Sequence, residues 1–150
     1  MIKILRTYSS NQDFIELVKL LDKELQIRDG GDHTFYAQYN MIDKLKNVVL
    51  AYYNDAAVGC GAIKEYEIST IEIKRMFVKD EYRSKGIATK ILIELELWAG
   101  ELGYNKCILE TGFKQPEAIR LYTKNNYNVI PNYGQYAGMV NSVCMEKVLA

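Results

Sequence analysis

The chain has 150 residues, 49% of them hydrophobic and 25% charged, with 19 basic side chains balanced by 19 acidic ones. That length suits one domain over residues 1–150 with a core of its own, and the composition is that of an ordinary globular protein. Zero net charge argues against a nucleic-acid partner. No apolar run approaches the ~18 residues of a membrane span, and Met1 to Arg6 lacks the long apolar stretch of a signal peptide. The expectation is a cytoplasmic protein without nucleic-acid or membrane partners.

Lys3 to Thr7 reads as an opening strand. Ser10 with Asp13 looks like a capping box, and Phe14, Leu17, Val18, Leu21 and Leu25 then recur at helical spacing, which predicts a core-facing helix. Residues from Arg28 to Asn40 are irregular, polar and aromatic, with a second helix expected through Tyr36 to Leu45. Asn47 to Tyr53, Ala57 to Tyr66 and Thr70 to Val78 form an antiparallel meander, turned at Asn54-Asp55 and at Glu67 to Ser69. In its third strand the alternation Ile71, Ile73 jumps to Met76, Val78, a step that a β-bulge near Lys74-Arg75 would absorb. A helix from Gly86 to about Leu102 places Ile87, Ile91, Leu95, Trp98 and Leu102 on one stripe and stops at Gly103. Lys106 to Thr111 is a strand, Pro116 opens a helix that Asn125-Asn126 ends, and Tyr127 to Ile130 and Ser142 to Val148 are the last two strands. Cys60, Cys107 and Cys144 are odd in number and set among apolar residues, as buried free thiols are.

The most informative junction is Met76 to Thr89, where an apolar strand runs through a short basic turn into a long helix. A helix start carries backbone N–H groups without intrahelical partners and the positive end of the macrodipole, so it attracts anions. Gly86 lets a phosphate approach the backbone, because no Cβ intervenes. Between Glu72 and Lys90 six cationic residues face three anionic ones, a local positive patch on a neutral protein. A small anionic ligand fits that pattern better than a polyanion. The Gly-x-x-x-x-Gly-Lys-Ser/Thr pattern of nucleotide-triphosphate enzymes is absent.

Arg83-Ser84-Lys85-Gly86-Ile87-Ala88 resembles the Gln/Arg-x-x-Gly-x-Gly/Ala signature of the GNAT superfamily of acetyltransferases, and Gln115 to Tyr122 resembles its Asn-x-x-Ala-x-x-Leu-Tyr helix at the expected distance. Ser84, Asp80 and Gln115 depart from the glycine, proline and asparagine that many members carry there. The resemblance spans nearly the whole chain and is most specific from Glu72 to Tyr127. It implies an α/β fold with a mixed, mostly antiparallel sheet of six to seven strands flanked by about four helices.

It also implies acetyl-CoA as co-substrate and no metal. The backbone of Met76, Phe77 and Val78 would hold the pantetheine and thioester, Arg83, Ser84, Lys85, Gly86, Ile87, Ala88 and Thr89 the pyrophosphate, and Gln115 the pantetheine arm. Tyr122 is the implied general acid, since a phenol of pKa about 10 is protonated at neutral pH and can donate to a leaving thiolate; a tyrosine on a helical apolar stripe also serves packing alone. Glu72 and Glu110 flank the expected gap in the sheet, and either could serve as base or only as a charge near the acceptor. His33, the single histidine, has no ligand-spaced partners and suits a loop or acceptor contact better than a metal site or a Cys–His pair. Around the acceptor the family pattern puts Arg28 to Asn40, including His33 and Tyr36, and the connection bearing Tyr133 and Tyr136. The reading is direct acetyl transfer to a primary amine of a small or amino-acid-like molecule. A protein amino group, a non-catalytic acyl-CoA-sensing module and a homodimer are left open.

Overall fold

The computed structural model describes residues 1–29 and 45–149. The chain runs β1 (Ile2–Thr7), α1 (Gln12–Asp29), β2 (Asn47–Tyr53), β3 (Ala56–Glu67), β4 (Thr70–Val78), α2 (Ile87–Glu101), β5 (Lys106–Gly112), α3 (Pro116–Lys124), β6 (Asn128–Ile130) and β7 (Ser142–Val148). All seven strands join one sheet in the order β1-β2-β3-β4-β5-β7-β6. Every pair is antiparallel except β4–β5, which is parallel because α2 returns the chain across the sheet between them. The expected mixed, mostly antiparallel α/β architecture is therefore present. Three α-helices lie among the described residues, against about four expected; the helix anticipated through Tyr36 to Leu45 falls, apart from Leu45, outside them. Among the described residues no helix is long and apolar enough to cross a membrane.

Two apolar layers sandwich the sheet. On one face α2 buries Ile87, Ile91, Leu92, Leu95 and Ala99 against Val49, Val58, Ile71, Ile73, Cys107, Leu109 and Met145. Each fully buried aliphatic side chain there contributes about 1.5–3 kcal/mol. On the other face α1 buries Phe14, Leu17, Val18 and Leu21 against Val48, Leu50, Cys60, Ala62 and Phe77. Close approach of α2 depends on two glycines of β3: a Cβ on Gly61 would lie 2.6 Å from Met76 Sδ, and one on Gly59 would lie 2.9 Å from Ile91 Cδ1 and 3.1 Å from the Phe77 carbonyl.

Local chemistry explains the ends. The cap of α1 is Asn11 rather than the expected Ser10: its Oδ1 accepts from the amides of Asp13 at 2.9 Å and Phe14 at 3.3 Å, which are the second and third helical positions an N-cap serves. Gly103, at φ +95°, closes α2 with Gly103 N–H donating to Gly100 and Tyr104 N–H to Ala99, the paired bonds of a Schellman ending. Asn126, at φ +75°, ends α3 in the same way. The stripe of α2 differs from expectation at its end. Ala99 takes the buried position, Leu102 is 49% exposed, and Trp98 lies at the flank beneath the Arg6 guanidinium, 5.0 Å from its ring centre. The three cysteines are buried and free, as expected.

Candidate active site

β4 and β5 pair only through Thr70–Lys106, Ile71–Cys107 and Glu72–Ile108, and then diverge. β5 goes on pairing with β7 as far as Gly112–Ser142. β4 goes on with β3, but through a bulge: Ala62 is opposite Lys74 and Cys60 opposite Phe77, so β4 spends one residue more than its partner. Arg75 takes up the excess in the left-handed region, at φ +59°, and so the expected bulge is found where the alternation slipped. Its effect is to turn consecutive side chains. Ile73 and Met76 pack toward α2, whereas Phe77 enters the α1 core. The splayed strands leave a cleft of about 130 Å³ whose lining includes Glu72, Lys74, Arg75, Met76, Glu110, Gln115, Tyr122 and Tyr136.

Two carboxylates and the last connection meet on the α1 side of this cleft. Alternation along β4 and β5 puts Glu72 and Glu110 on the face opposite Ile71, Ile73 and Leu109, which pack against α2. The Tyr133 hydroxyl donates to Glu72 Oε2 at 2.5 Å, and the Lys74 ammonium lies 3.6 Å from Oε1, so Glu72 is held on both oxygens. The Lys74 and Glu72 side chains are only 7% and 9% exposed. Burial, and then the charge of Glu72, keeps the Tyr133 hydroxyl protonated well above the usual tyrosine range. Tyr133 in turn stands edge-on to Tyr66, with centroids 5.1 Å apart, and to Tyr136, at 5.6 Å. Tyr136 is buried, and burial followed by the charges of Glu110 and Glu72 raises its hydroxyl also. Cys144, beside Tyr136, is pushed up to about 11, chiefly by burial, and is a thiol rather than a thiolate at neutral pH.

Tyr122 reaches the cleft from the opposite side, on α3. It is 6% exposed, and its ring packs edge-on against Tyr127 at 5.7 Å within the α2-side core. Burial, then the charge of Glu110, lifts its hydroxyl above the ordinary tyrosine value. A phenol so placed holds its proton at any physiological pH, which is the state a general acid needs. Packing and chemistry coincide in this residue.

The cofactor candidates divide. Met76 lines the cleft, while Phe77 and Val78 send their side chains into the two cores, leaving only main chain for a ligand. Ser84 and Gly86 both have positive φ, at +65° and +80°, and a Cβ on Gly86 would meet nothing within 4 Å, so the turn before α2 is an open cradle. The cap bond of α2 is Lys90 N–H to the Gly86 carbonyl at 3.1 Å, with the amides of Ile87, Ala88 and Thr89 at the head of the helix. The Ile87 side chain is buried in the core. Arg83 does not point its charge into this cradle. Its Nε donates to the Val78 carbonyl at 2.8 Å, its Nη2 to both oxygens of Glu24 at 2.9 and 3.1 Å, and its guanidinium lies over Phe77. Of the side chains that resemblance assigns to the pyrophosphate, Arg83 thus ties the turn to α1. Gln115 caps α3 with its carbonyl, which accepts from Ala118 and Ile119, and lines the cleft. His33 and Tyr36 lie outside the described residues.

The sequence reading missed the role of α1. Asp22 accepts from Arg75 Nη2 at 2.5 Å, Glu24 holds Arg83, and Arg28 bridges to Glu117 at the start of α3. One helix therefore touches the bulge, the glycine turn before α2 and the helix of Tyr122. Arg75 is the odd member: its side chain is 1% exposed, and its buried Nε and Nη1 have no hydrogen-bond partner among the described residues. Each such buried donor costs about 1–3 kcal/mol. The slipped alternation marked the bulge, but no local signal announced that its side chain would be buried.

Residues 14–127 match the family model "Acetyltransferase (GNAT) family". An IAA acetyltransferase of Azospirillum brasilense is 32% identical over 143 residues, covering 90% of each chain. Among solved structures, a Klebsiella pneumoniae protein named as an acyl-CoA N-acyltransferase superposes with a TM-score of 0.83 at 28% identity, over 100% of this chain and 99% of its own. A GNAT acetyltransferase of Elizabethkingia anophelis, with acetyl-CoA bound, has the same fold at a TM-score of 0.72 and 20% identity, over 99% of this chain and 98% of its own. With a family model matched across most of the chain and a relative of like length above 30% identity, the bulged strand, splayed sheet and glycine turn belong to a member of the GNAT acetyltransferase family.

Proposed function

We propose that this protein transfers an acetyl group from acetyl-CoA directly to the primary amine of a small molecule. The observation that carries the reading is a cleft lined by Tyr122 and two carboxylates where the sheet splits past Glu72. The open turn at Gly86 and the amides at the head of α2 fit a pyrophosphate, and the fold is one in which a neighbour holds acetyl-CoA. Acetyl-CoA supplies the acetyl group as an activated thioester.

The residues divide the remaining work. Glu110 or Glu72 takes a proton from the entering ammonium, directly or through water. The tyrosine–lysine grip on Glu72 suits an orienting role, and the charge of Glu110 at the Tyr122 hydroxyl places that carboxylate beside the proposed acid, where it suits a proton-accepting one. As the new N–C bond forms and the C–S bond breaks, Tyr122 donates its proton to the departing sulfur, and the second proton that the nitrogen loses in becoming an amide returns, through water, to the phenolate. Cys144, buried and held as a thiol, is a poor nucleophile at neutral pH, in keeping with direct transfer.

A screen of primary amines with acetyl-CoA, read by thiol release, tests the reading. Release that depends on both an amine and Tyr122 supports it. Acetyl-CoA binding without amine-dependent release would instead leave a sensing module.

A further inference from the structure

We propose that the acceptor carries a carboxylate, bound by Arg75, so that the substrate class is an amine with an acid group; this rests on the reading of the cleft as an acetyltransferase site. Arg75 lines that cleft and is presented by the bulge itself, in a backbone conformation that non-glycine residues seldom adopt. A buried guanidinium in a strained position needs anionic partners, and the described residues supply one. Asp22 engages Nη2, and its side chain is 53% exposed, while Nε and Nη1 are buried without a partner among the described residues. A planar cation with donors to spare is matched by a planar carboxylate.

The neighbours agree on sign and place. Beside Arg75 along β4 stands Lys74, also nearly buried, which lies at the long distance of 3.6 Å from its carboxylate partner among the described residues, Glu72. Arg28 lines the same cleft from α1. Arg75 lies against α1, whereas Tyr122 belongs to the α2-side core, so an anion at Arg75 falls on the side where Glu72 and Glu110 await the amine. A carboxylate there would fix one end of the acceptor and leave its amine to the glutamates.

The test pairs amines that differ only in the acid: 5-aminopentanoate with pentylamine, whose ammonium groups have nearly equal acidity, and leucine with 3-methylbutylamine. With wild-type protein and acetyl-CoA, the acid-bearing member of an accepted pair is expected to have a kcat/KM at least 10-fold higher. Arg75→Met should erase that ratio and leave the KM for acetyl-CoA within about twofold, and Arg75→Lys should restore part of it. Equal rates for the pair, a ratio that survives in Arg75→Met, or a loss that falls on acetyl-CoA would overturn the proposal. A second readout does not need turnover. 4-Methylpentanoate, leucine without its amine, should raise the melting temperature of the wild type and not of Arg75→Met; failure to raise it in the wild type also overturns the proposal. If no amine of either class releases thiol while that carboxylate still stabilises the wild type alone, the acetyltransferase reading fails and the anion site stands.

Discussion

The two sides of the cleft are built differently. The side proposed for the cofactor is nearly contiguous, a strand, a turn and a helix start within Met76 to Thr89, and it presents main chain: amides, a glycine and the open edge left by a bulge. The side proposed for the acceptor gathers its groups from afar. Tyr133 reaches Glu72 across 61 residues of sequence and Arg75 reaches Asp22 across 53. Backbone recognition suits a ligand whose phosphates look alike in every use, while side chains brought together by the fold can be exchanged one at a time to choose an acceptor. The lesson is that change should be costly and general on the first side, and selective on the second.

The largest effect is expected where the two sides meet. Tyr122→Phe should lower kcat by about 10²- to 10⁴-fold, the range for a positioned acid, and change the KM for acetyl-CoA little. Its hydroxyl is raised above the usual value of about 10, so in the folded enzyme the proton is kept as pH rises through the ordinary tyrosine range. The rate should therefore show no basic limb from Tyr122 below about pH 10. Unchanged turnover in the variant, measured by thiol release, would return Tyr122 to packing alone. In the same assay Glu110→Gln should remove the rise in rate with pH on the acid side, whereas Glu72→Gln should keep it.

Next comes the contiguous side. Acetyl-CoA at a hundredfold excess over its Kd should stabilise the wild type by about 2.7 kcal/mol. Gly86→Glu should abolish that protection in a thermal melt, because it sets a negative side chain in the cradle and a Cβ where φ is +80°. Full protection in that variant would remove the turn from the cofactor site.

A smaller and more selective effect is expected across the cleft. Tyr133→Phe deletes the donor to Glu72, a bond to a charged group worth about 1.5–3 kcal/mol. It should raise the acceptor KM and spare that of acetyl-CoA. Equal weakening of both substrates would show that the two sides are less separable than the geometry suggests. The smallest change in catalysis belongs to the scaffold. Gly59→Ala should cost about 1–3 kcal/mol through overpacking, seen as a lower urea midpoint, because the Phe77 carbonyl stands 3.1 Å from the new Cβ. Its activity below the transition should remain near that of the wild type.

The sequence by itself determined what depends on neighbours in the chain. Alternation in β2 to β5, the helical spacing in α1 and α2, Gly103 and Asn125-Asn126 as stops, and the glycine turn into α2 are local patterns. Period and φ preference act within a few residues, and the bulge was visible as a slipped alternation for the same reason. The slip of one residue at the α1 cap, from Ser10 to Asn11, shows how far local competition among small polar residues can be resolved, since both can accept from a helix amide.

Only the tertiary structure decided how charges and rings pair across the cleft. Glu72 and Glu110 were equivalent as letters on two strands; which groups close on Glu72, Tyr133 and Lys74, was settled by the fold. Arg83 stood only as a basic residue of the glycine turn, and the packing of α1 over that turn paired it with Glu24. Arg75 read as a bulge residue, and burial made it a cation short of partners among the described residues. A side chain's pairing depends on which distant element covers it, and residues 50 or 60 positions apart leave no periodic trace of their contact; the strength of each pair is then set by burial, which belongs to the folded molecule and not to any segment of it.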